Sequence, residues 1–122
     1  MNIYTYIEKT YSATGEHLFA KDPATCVFRH GHNRKWFAVV MKIPNEKLGI
    51  SGGGEIWIVN VKCDPRLIGS FRLENGIYPA YHMNKNHWLT VALDGTVDDD
   101  KMKFLVDMSY DLSSGNSNPD MF

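Results

Sequence analysis

Three apolar segments typical of β-strands follow one another between residues 24 and 63. They are residues 24–30 (ATCVFRH), 36–43 (WFAVVMKI) and 56–63 (IWIVNVKC), and all are rich in β-branched or aromatic residues, which favour extended backbone. The polar sequence GHNRK separates the first two segments, and a loop with three consecutive glycines separates the last two. The first pair predicts a β-hairpin, and the three segments together predict a mainly antiparallel sheet.

Helical patterns lie at both ends of the chain. Ile3, Ile7 and Tyr11 recur every four residues, which predicts an amphipathic first helix that ends before Gly15. Three aspartates at residues 98–100 predict the start of the last helix, because acidic residues complement the helix dipole there. The predicted core residues of this last helix are Met102, Leu105, Met108 and Leu112.

A further helix and two short strands complete the order. Asp64-Pro65 predicts a helix with aspartate at its N-cap and proline at its first position, ending at Asn75-Gly76. Its apolar stripe consists of Leu67, Ile68 and Phe71. Residues 77–83 and 87–93 predict two strands across a turn at residues 84–86. The order α-βββ-α-ββ-α predicts an α+β domain with a mostly antiparallel sheet and three helices on one face.

Alternation along the strands predicts which residues face the helices. The residues assigned to the core beneath the helices are Phe37, Val39, Met41, Ile43, Trp57, Val59, Val61 and Cys63. The residues assigned to the opposite face are Trp36, Val40, Lys42, Ile56, Ile58, Asn60 and Lys62, with Trp88 and Thr90 from the last strand. An antiparallel sheet can leave one face toward solvent. We therefore expect an open, mixed apolar and basic face that suits binding.

Composition limits the kind of molecule. The chain has 122 residues and is 43% hydrophobic, which is enough for one domain with its own core. No apolar run approaches the ~20 residues that cross a bilayer, and the first eleven residues do not look like a secretion signal, so we expect a cytoplasmic protein. Cys26 and Cys63 have no paired spacing and lie in apolar segments, so we interpret them as buried free thiols.

The net charge of −1 hides an asymmetry along the chain. Residues 1–93 carry eleven lysines and arginines against seven acids, a balance of +4, together with all five histidines. From Asp94 onward seven acids face two lysines, a balance of −5. A moderately basic body is compatible with an anionic partner. It is less basic than the domains for which nucleic-acid binding is obvious from charge.

Two loops have features found in phosphate-binding sites: one is cationic and the other is rich in glycine. The tip of the first predicted hairpin carries His30, His32, Arg34 and Lys35. A cationic hairpin tip can lie along a nucleic-acid backbone, and an ordinary solvated turn can have the same composition. The loop from Pro44 to Glu55 has three consecutive glycines at 52–54, but it lacks the following helix that a phosphate loop requires, so we interpret the whole loop as a mobile connector between strands.

The residue pattern predicts no metal, cofactor or catalytic site. His30 and His32 with His82 and His87 do not make the closed set of four ligands, fixed by local spacing, that structural zinc requires. The aspartates at 98–100 lack the alternating spacing of a calcium loop. No serine or cysteine has a local base and orienting partner. We expect a non-enzymatic protein without a cofactor.

The segment from Pro79 to Gly95, PAYHMNKNHWLTVALDG, gathers aromatic rings, amides, two imidazoles and a lysine around one turn. The chain also has a Cys-Asp-Pro sequence at residues 63–65 and an acidic last helix ending in FLVDMSYDL. With these features the chain resembles the MmcQ/YjbR family of small bacterial proteins. The resemblance extends from about Ile3 to Leu112.

This resemblance implies a CyaY-like, double-wing fold in which helices and hairpins would meet duplex DNA, and it implies no enzymatic activity. The CyaY-like fold is also that of frataxin, whose iron site is an acidic ridge on the first helix. Here that helix offers only Glu8, so the iron site does not carry over. Among the residues of the family-like segments, we expect Trp88 or Tyr110 to be buried and to join the last strand pair to the last helix.

We therefore predict a single MmcQ/YjbR-like domain over residues 1–112, a disordered tail over residues 113–122, and a monomer rather than an obligate oligomer. The leading hypothesis is duplex DNA binding, mostly through phosphates. The residues predicted to contact DNA are Arg29, Arg34, Lys35, Lys42, Lys62, Asn84, Lys85, Asn86 and His87. The alternative is a module that binds a protein or small ligand on the open sheet face, at Trp36, His82 and Trp88.

Overall fold

A computed structural model describes residues 1–115 and contains a five-stranded antiparallel sheet in the order β1-β2-β3-β5-β4. The helices are α1 (Ile3–Tyr11), α2 (Ile68–Phe71) and α3 (Asp99–Ser114), and a 3-10 turn spans Asn45–Leu48. The strands are β1 (Cys26–Arg29), β2 (Trp36–Pro44), β3 (Glu55–Lys62), β4 (Ile77–Pro79) and β5 (Trp88–Ala92). The predicted α+β class and the predicted element order are confirmed.

The helices cover one side of the sheet, called here the helix face. Ile3 and Ile7 of α1 and Leu105 and Val106 of α3 are buried in one core with the sheet. The sheet residues of this core are Cys26, Phe28, Phe37, Ala38, Val40, Val59, Val61, Leu89 and Val91. Local capping sets where the long helices begin: the Asn2 side chain accepts from Thr5 N at 3.1 Å, and that of Asp98 accepts from Lys101 N at 2.8 Å.

Phe37 of β2 lies in the helix-face core as predicted, but the face predicted for the rest of this strand is wrong, and a bulge contributes to the error. Phe28 pairs with Ala38 but Arg29 pairs with Trp36, so Phe37 is an extra residue that has no partner on β1. Beyond the bulge, the helix-face residues are Ala38, Val40 and Lys42, which pair with Val61, Val59 and Trp57. The predicted core residues Val39, Met41 and Ile43 lie on the opposite side, called here the second face. The assignments for β3 were correct.

The second face is not open to solvent as predicted. Ile43, Ile56, Ile58 and Ala92 form a smaller apolar cluster there. The side chains that pack against this cluster are Met41, Leu48, Ile50, Tyr78 and Tyr81. The 3-10 turn and the segment after β4 therefore fold over this face, because the cluster is apolar and gains stability when it is covered.

The second helix is shorter than predicted. The carboxylate of Asp64 accepts hydrogen bonds from the backbone N of Arg66 at 2.9 Å and from its guanidinium at 2.7 Å. Asp64 thus closes a tight turn instead of capping a helix, and the helical hydrogen-bond pattern is limited to Ile68–Phe71. Ile68 and Phe71 are nevertheless buried in the helix-face core, as their spacing predicted.

Two other boundaries differ from the prediction. β4 ends at Pro79, so residues 80–87 form a long connection to β5 instead of a three-residue turn. α3 continues to Ser114, two residues past the predicted end of the domain at 112. Most of the predicted disordered tail, residues 116–122, lies outside the described residues. Over the described part of the chain, no helix has the length and apolar character needed to cross a membrane.

Candidate functional site

Three loops project from the same end of the sheet. The antiparallel register places the end of β1, the start of β2, the end of β3 and the start of β5 together, because Arg29 pairs with Trp36 and Lys62 pairs with Trp88. The loops at residues 30–35, 63–67 and 80–87 leave from these strand ends. We call this the loop end. It contains most of the residues predicted to contact DNA.

The loop at residues 30–35 is fastened to the carboxyl end of α3. His30 Nε2 lies 2.9 Å from Ser113 Oγ, His32 Nε2 donates to Ser114 O at 2.7 Å, and Asn33 Nδ2 donates to Ser113 O at 2.8 Å. His30 and Asn33 therefore have structural roles. Arg34 is exposed and has left-handed backbone, with φ of 64°, so the loop holds its guanidinium at the surface.

The loop at residues 80–87 is built from local turns. Asn84 Oδ1 accepts from the backbone N of Asn86 at 2.8 Å, and Asn84 O accepts from the backbone N of Trp88 at 2.9 Å. An asparagine that closes such a turn fixes the backbone around the next residue. Lys85 is therefore presented at the exposed turn, and Asn84 and Asn86 are exposed beside it.

Lys62 differs from the other lysines because it is 7% exposed. Its amine lies over the Trp88 ring, 5.3 Å from the centroid. Burial, with a smaller contribution from the nearby Lys35, lowers the pKa of Lys62 to about 8. The side chain is thus at the predicted place, but its burial makes it unsuited to a direct phosphate contact.

Of the other residues predicted to contact DNA, Arg29 is engaged in an ion pair and Lys42 lies away from the loop end. Arg29 donates to Glu16 from Nε at 2.7 Å and from its terminal nitrogen at 2.9 Å, which is a two-point ion pair. Lys42 lies near the opposite end of the sheet on the helix face, 3.8 Å from Glu55 and over the Trp57 ring. The structure therefore leaves Lys42 apart and places the following residues at the same end of the sheet: Arg34, Lys35, Lys62, Asn84, Lys85, Asn86 and His87.

Beside β3, the loop end contains a cavity of about 370 Å³. It is lined by Lys62, Cys63, Asp64, Pro65, Arg66, His87 and Leu112. Burial, followed by the charge of Asp64, raises the pKa of the Cys63 thiol to about 11. Burial also raises the pKa of Cys26. Both thiols are buried and free, so neither has the depressed pKa of a catalytic cysteine.

The alternative ligand site predicted at Trp36, His82 and Trp88 is not one pocket. Trp36 packs edge-on against Phe19, Trp88 is 6% exposed beneath Lys62, and His82 packs against Tyr81. Each ring packs against a different neighbour, so the three do not form one site. Within residues 1–115, no three histidine, cysteine or acidic side chains are grouped so that they could hold a metal ion.

Sequence reasoning missed a second group of cavity-lining residues on the second face. Lys47 and Leu48 of the 3-10 turn lie across a groove from Tyr78 and Tyr81. The turn was predicted to be a mobile connector. Asn45 was the signal in the sequence for an ordered turn, because asparagine often stabilises turns. In the structure it holds the loop by donating from Nδ2 to Gly53 O at 2.8 Å and from its backbone N to Gly54 O at 3.0 Å.

The fold and its loop end define a small α+β protein with an antiparallel sheet, helices on one face and cationic loops at one end. The chain belongs to the YjbR family, whose family model matches residues 9–112. The uncharacterized protein YyaQ of Bacillus subtilis (strain 168) is 36% identical over 114 residues, which cover 92% of this chain and 95% of that protein. The uncharacterized protein YjbR of Escherichia coli (strain K12) is 42% identical over 53 residues, or 43% of this chain and 45% of that protein.

Solved structures are similar to this fold. A crystal structure of a protein from Pseudomonas syringae has a TM-score of 0.90 and 42% identity, and the match covers 93% of this chain and 99% of that one. A crystal structure of a Deinococcus radiodurans protein with a DUF419 domain has a TM-score of 0.64 and 25% identity, covering 89% and 74%. The family resemblance and the fold predicted from the sequence are therefore confirmed.

Proposed function

We propose that this protein binds duplex DNA weakly and without catalysis, through phosphate contacts made at the loop end. The observation that supports the proposal is that the loops at residues 30–35 and 80–87, which carry Arg34, Lys35 and Lys85, lie at the same end of the sheet. Cationic side chains on two separate loops suit a backbone that presents phosphates along its length.

The number of contacts is smaller than the sequence suggested. Arg29 is held by Glu16, Lys42 lies elsewhere and Lys62 is buried. About three phosphate contacts remain, which corresponds to a slope of roughly −2.7 for the logarithm of affinity against the logarithm of salt concentration. The expected dissociation constant at physiological salt is on the order of micromolar or poorer.

Polar side chains beside these cations would add further contacts to the DNA backbone. Asn84 and Asn86 are exposed beside Lys85, and His87 lies between that turn and Lys62. Amide and imidazole groups there would add hydrogen bonds to phosphate or sugar without reading sequence. The carboxyl end of α3 reaches the same end of the sheet through Ser114 and His32. Its negative dipole end weakens binding.

The test is a fluorescence anisotropy titration of a labelled mixed-sequence duplex of about 20 base pairs at several salt concentrations. The double variant Arg34→Asn with Lys85→Gln should weaken binding and flatten the salt slope by about two. Asparagine tolerates left-handed backbone, so the loop conformation is kept. Lys42→Gln, at the far end of the sheet, is the matched control and should leave the slope unchanged.

Two results would contradict the proposal. One is the absence of duplex binding by the unmodified protein even at low salt. The other is a double variant that binds with the same salt slope as the unmodified protein, because the cations of the loop end would then not be the contacts.

A further inference from the structure

A groove of about 430 Å³ lies on the second face, between the 3-10 turn and the segment after β4. The residues that line it are Lys47, Leu48, Tyr78, Pro79, Ala80, Tyr81, His82 and Lys85. Pockets that bind small molecules usually measure ~300–1,000 Å³ and combine an apolar wall with a few polar groups. The groove is therefore large enough for a molecule the size of a mononucleotide.

Aromatic side chains form one wall of the groove. Tyr78 and Tyr81 are half-buried and pack against the apolar cluster of Ile58 and its neighbours. The His82 ring lies 4.0 Å from that of Tyr81, with an interplanar angle of 62°. The inner side of the wall is thus supported by the sheet. The parts of these rings that line the groove are available to a planar ligand.

The charges in the groove have one sign. Lys47 and Lys85 both line it and are exposed, and no acidic residue within residues 1–115 lines it. Among the described residues, neither amine takes part in an ion pair. Two cations beside an aromatic wall favour a ligand that is itself negatively charged.

The aromatic wall is held in place before any ligand arrives. Asn60 Nδ2 donates to Tyr81 O at 3.0 Å, and Tyr81 N donates to Thr90 Oγ1 at 2.8 Å. The next residue, His82, has left-handed backbone with φ of 58°, a conformation that few non-glycine residues adopt. Such conformations persist where the surrounding structure imposes them, and they are frequent at ligand sites.

We propose that this groove binds a small planar aromatic anion, of the size and charge of a nucleoside monophosphate. The ring would lie against Tyr81 and His82, and the anionic group would lie between Lys47 and Lys85. This site shares Lys85 with the proposed duplex interface but goes beyond it, because Lys47, Tyr81 and His82 have no part in the phosphate contacts proposed at the loop end.

The probe is adenosine monophosphate, titrated into the ¹⁵N-labelled protein and followed by amide chemical shifts. Adenosine and inorganic phosphate are titrated separately. We expect shifts centred on Leu48, Tyr81 and His82, and an affinity for the nucleotide about tenfold or more above that for either part alone. Equal affinity for phosphate and nucleotide would overturn the proposal, as would the absence of shifts at millimolar nucleotide.

Two variants test the assigned roles. Lys47→Gln should weaken nucleotide binding by about fivefold or more, because it removes one of two charges at the anion. His82→Gly removes the imidazole while suiting the left-handed backbone, so it should weaken nucleotide and adenosine binding alike without unfolding the protein. Lys9→Gln, an exposed lysine of α1 on the helix side, is the control. Nucleotide affinity that is unchanged in both test variants would overturn the proposal.

This proposal and the duplex proposal fail separately. Lys47→Gln should leave duplex binding unchanged, and Arg34→Asn should leave nucleotide binding unchanged, because the two residues belong to different loops and line different surfaces. Loss of duplex binding in Lys47→Gln would place both ligands on one surface and overturn the separate groove.

Discussion

The side chain of Thr90 donates a hydrogen bond to Asn60 Oδ1, joining two paired residues of the neighbouring strands β3 and β5. Both residues are buried on the second face. Each also bonds the backbone of Tyr81, so the pair fixes the segment that follows β4 to the sheet. Since the side chains of Asn60 and Thr90 are shielded from water, the loss of one partner leaves buried polar groups unsatisfied.

Thr90→Val removes the hydroxyl while keeping the side-chain shape. We expect the free energy of unfolding to fall by about 1–3 kcal/mol, because the Asn60 carbonyl and the Tyr81 amide lose a buried partner. Urea unfolding measures the loss, and hydrogen exchange should accelerate at the Tyr81 amide. Thr90→Ser keeps the hydroxyl and should leave that amide protected. Equal protection in the valine and serine variants would show that the network does not hold the loop.

Arg34→Gly should stabilise the protein. Left-handed backbone at a non-glycine residue costs roughly 1–2 kcal/mol, and part of this gain is offset by the greater flexibility of glycine when unfolded. The expected net gain is about 0.5–1 kcal/mol, measured by urea unfolding. Lys9→Gly is the matched control: it lies inside α1, so it should destabilise by about 1 kcal/mol. A loss of stability in Arg34→Gly would mean that the arginine makes a stabilising contact.

Protonation of His30 should lower the free energy of unfolding in mild acid. Burial, followed by the positive charges of His32 and Lys35, lowers the pKa of His30 in the folded protein. The unfolded chain takes up the proton near pH ~6.5, whereas the folded protein resists it. Its contribution to stability is therefore complete above that pH and decreases as the pH falls toward the folded-state pKa.

The pH prediction is checked with His30→Gln, unfolded in urea at about pH 7.5 and about pH 5.5. The variant should lose less stability between the two conditions than the unmodified protein does. His17→Gln, which removes an exposed histidine, is the control. A pH dependence that is the same with and without His30 would contradict the prediction.

Replacing the tryptophan of β3 and replacing the tryptophan of the neighbouring β5 should have different effects on stability. Trp88 is 6% exposed and Trp57 is 38% exposed. Trp88→Ala should cost about 3–5 kcal/mol in the free energy of unfolding, the usual loss for a buried aromatic side chain. Trp57→Ala should cost less, because a much larger part of this side chain is already exposed to water in the folded protein. Similar losses from thermal and urea unfolding of the two variants would contradict the assigned burial.

The expectation for Trp88 and Tyr110 is met in burial but not in connection. Trp88 is buried, but it lies on the second face beside Lys62, away from α3. Tyr110 helps to join α3 to α1 and β2, because it stacks on Tyr11 at 4.0 Å and packs edge-on against Phe37. Alternation along the last strand had placed Trp88 on the face opposite the helices, which is where it lies, so Trp88 could not also join that strand to α3.

The candidate site could be predicted only in part. Arg34, Lys85 and the amides around Lys85 were recognisable because glycine, asparagine and charged residues between apolar segments indicate exposed turns. The ion pairs of Arg29 and Lys42 and the burial of Lys62 were not recognisable, because their neighbours are distant in sequence. Glu16 is 13 residues from Arg29, and Trp88 pairs with Lys62 from the neighbouring strand β5.

The sequence alone determined the helices and strands, their order and the family, because apolar periodicity and turn residues act locally. It also determined the faces of β3, where polar residues break the apolar run. Only the tertiary structure decided the faces of β2, since WFAVVMKI is apolar on both sides and the bulge at Phe37 displaces its register. Only the tertiary structure placed Lys47 opposite Tyr81, because the groove between them forms when two distant loops fold over one apolar cluster.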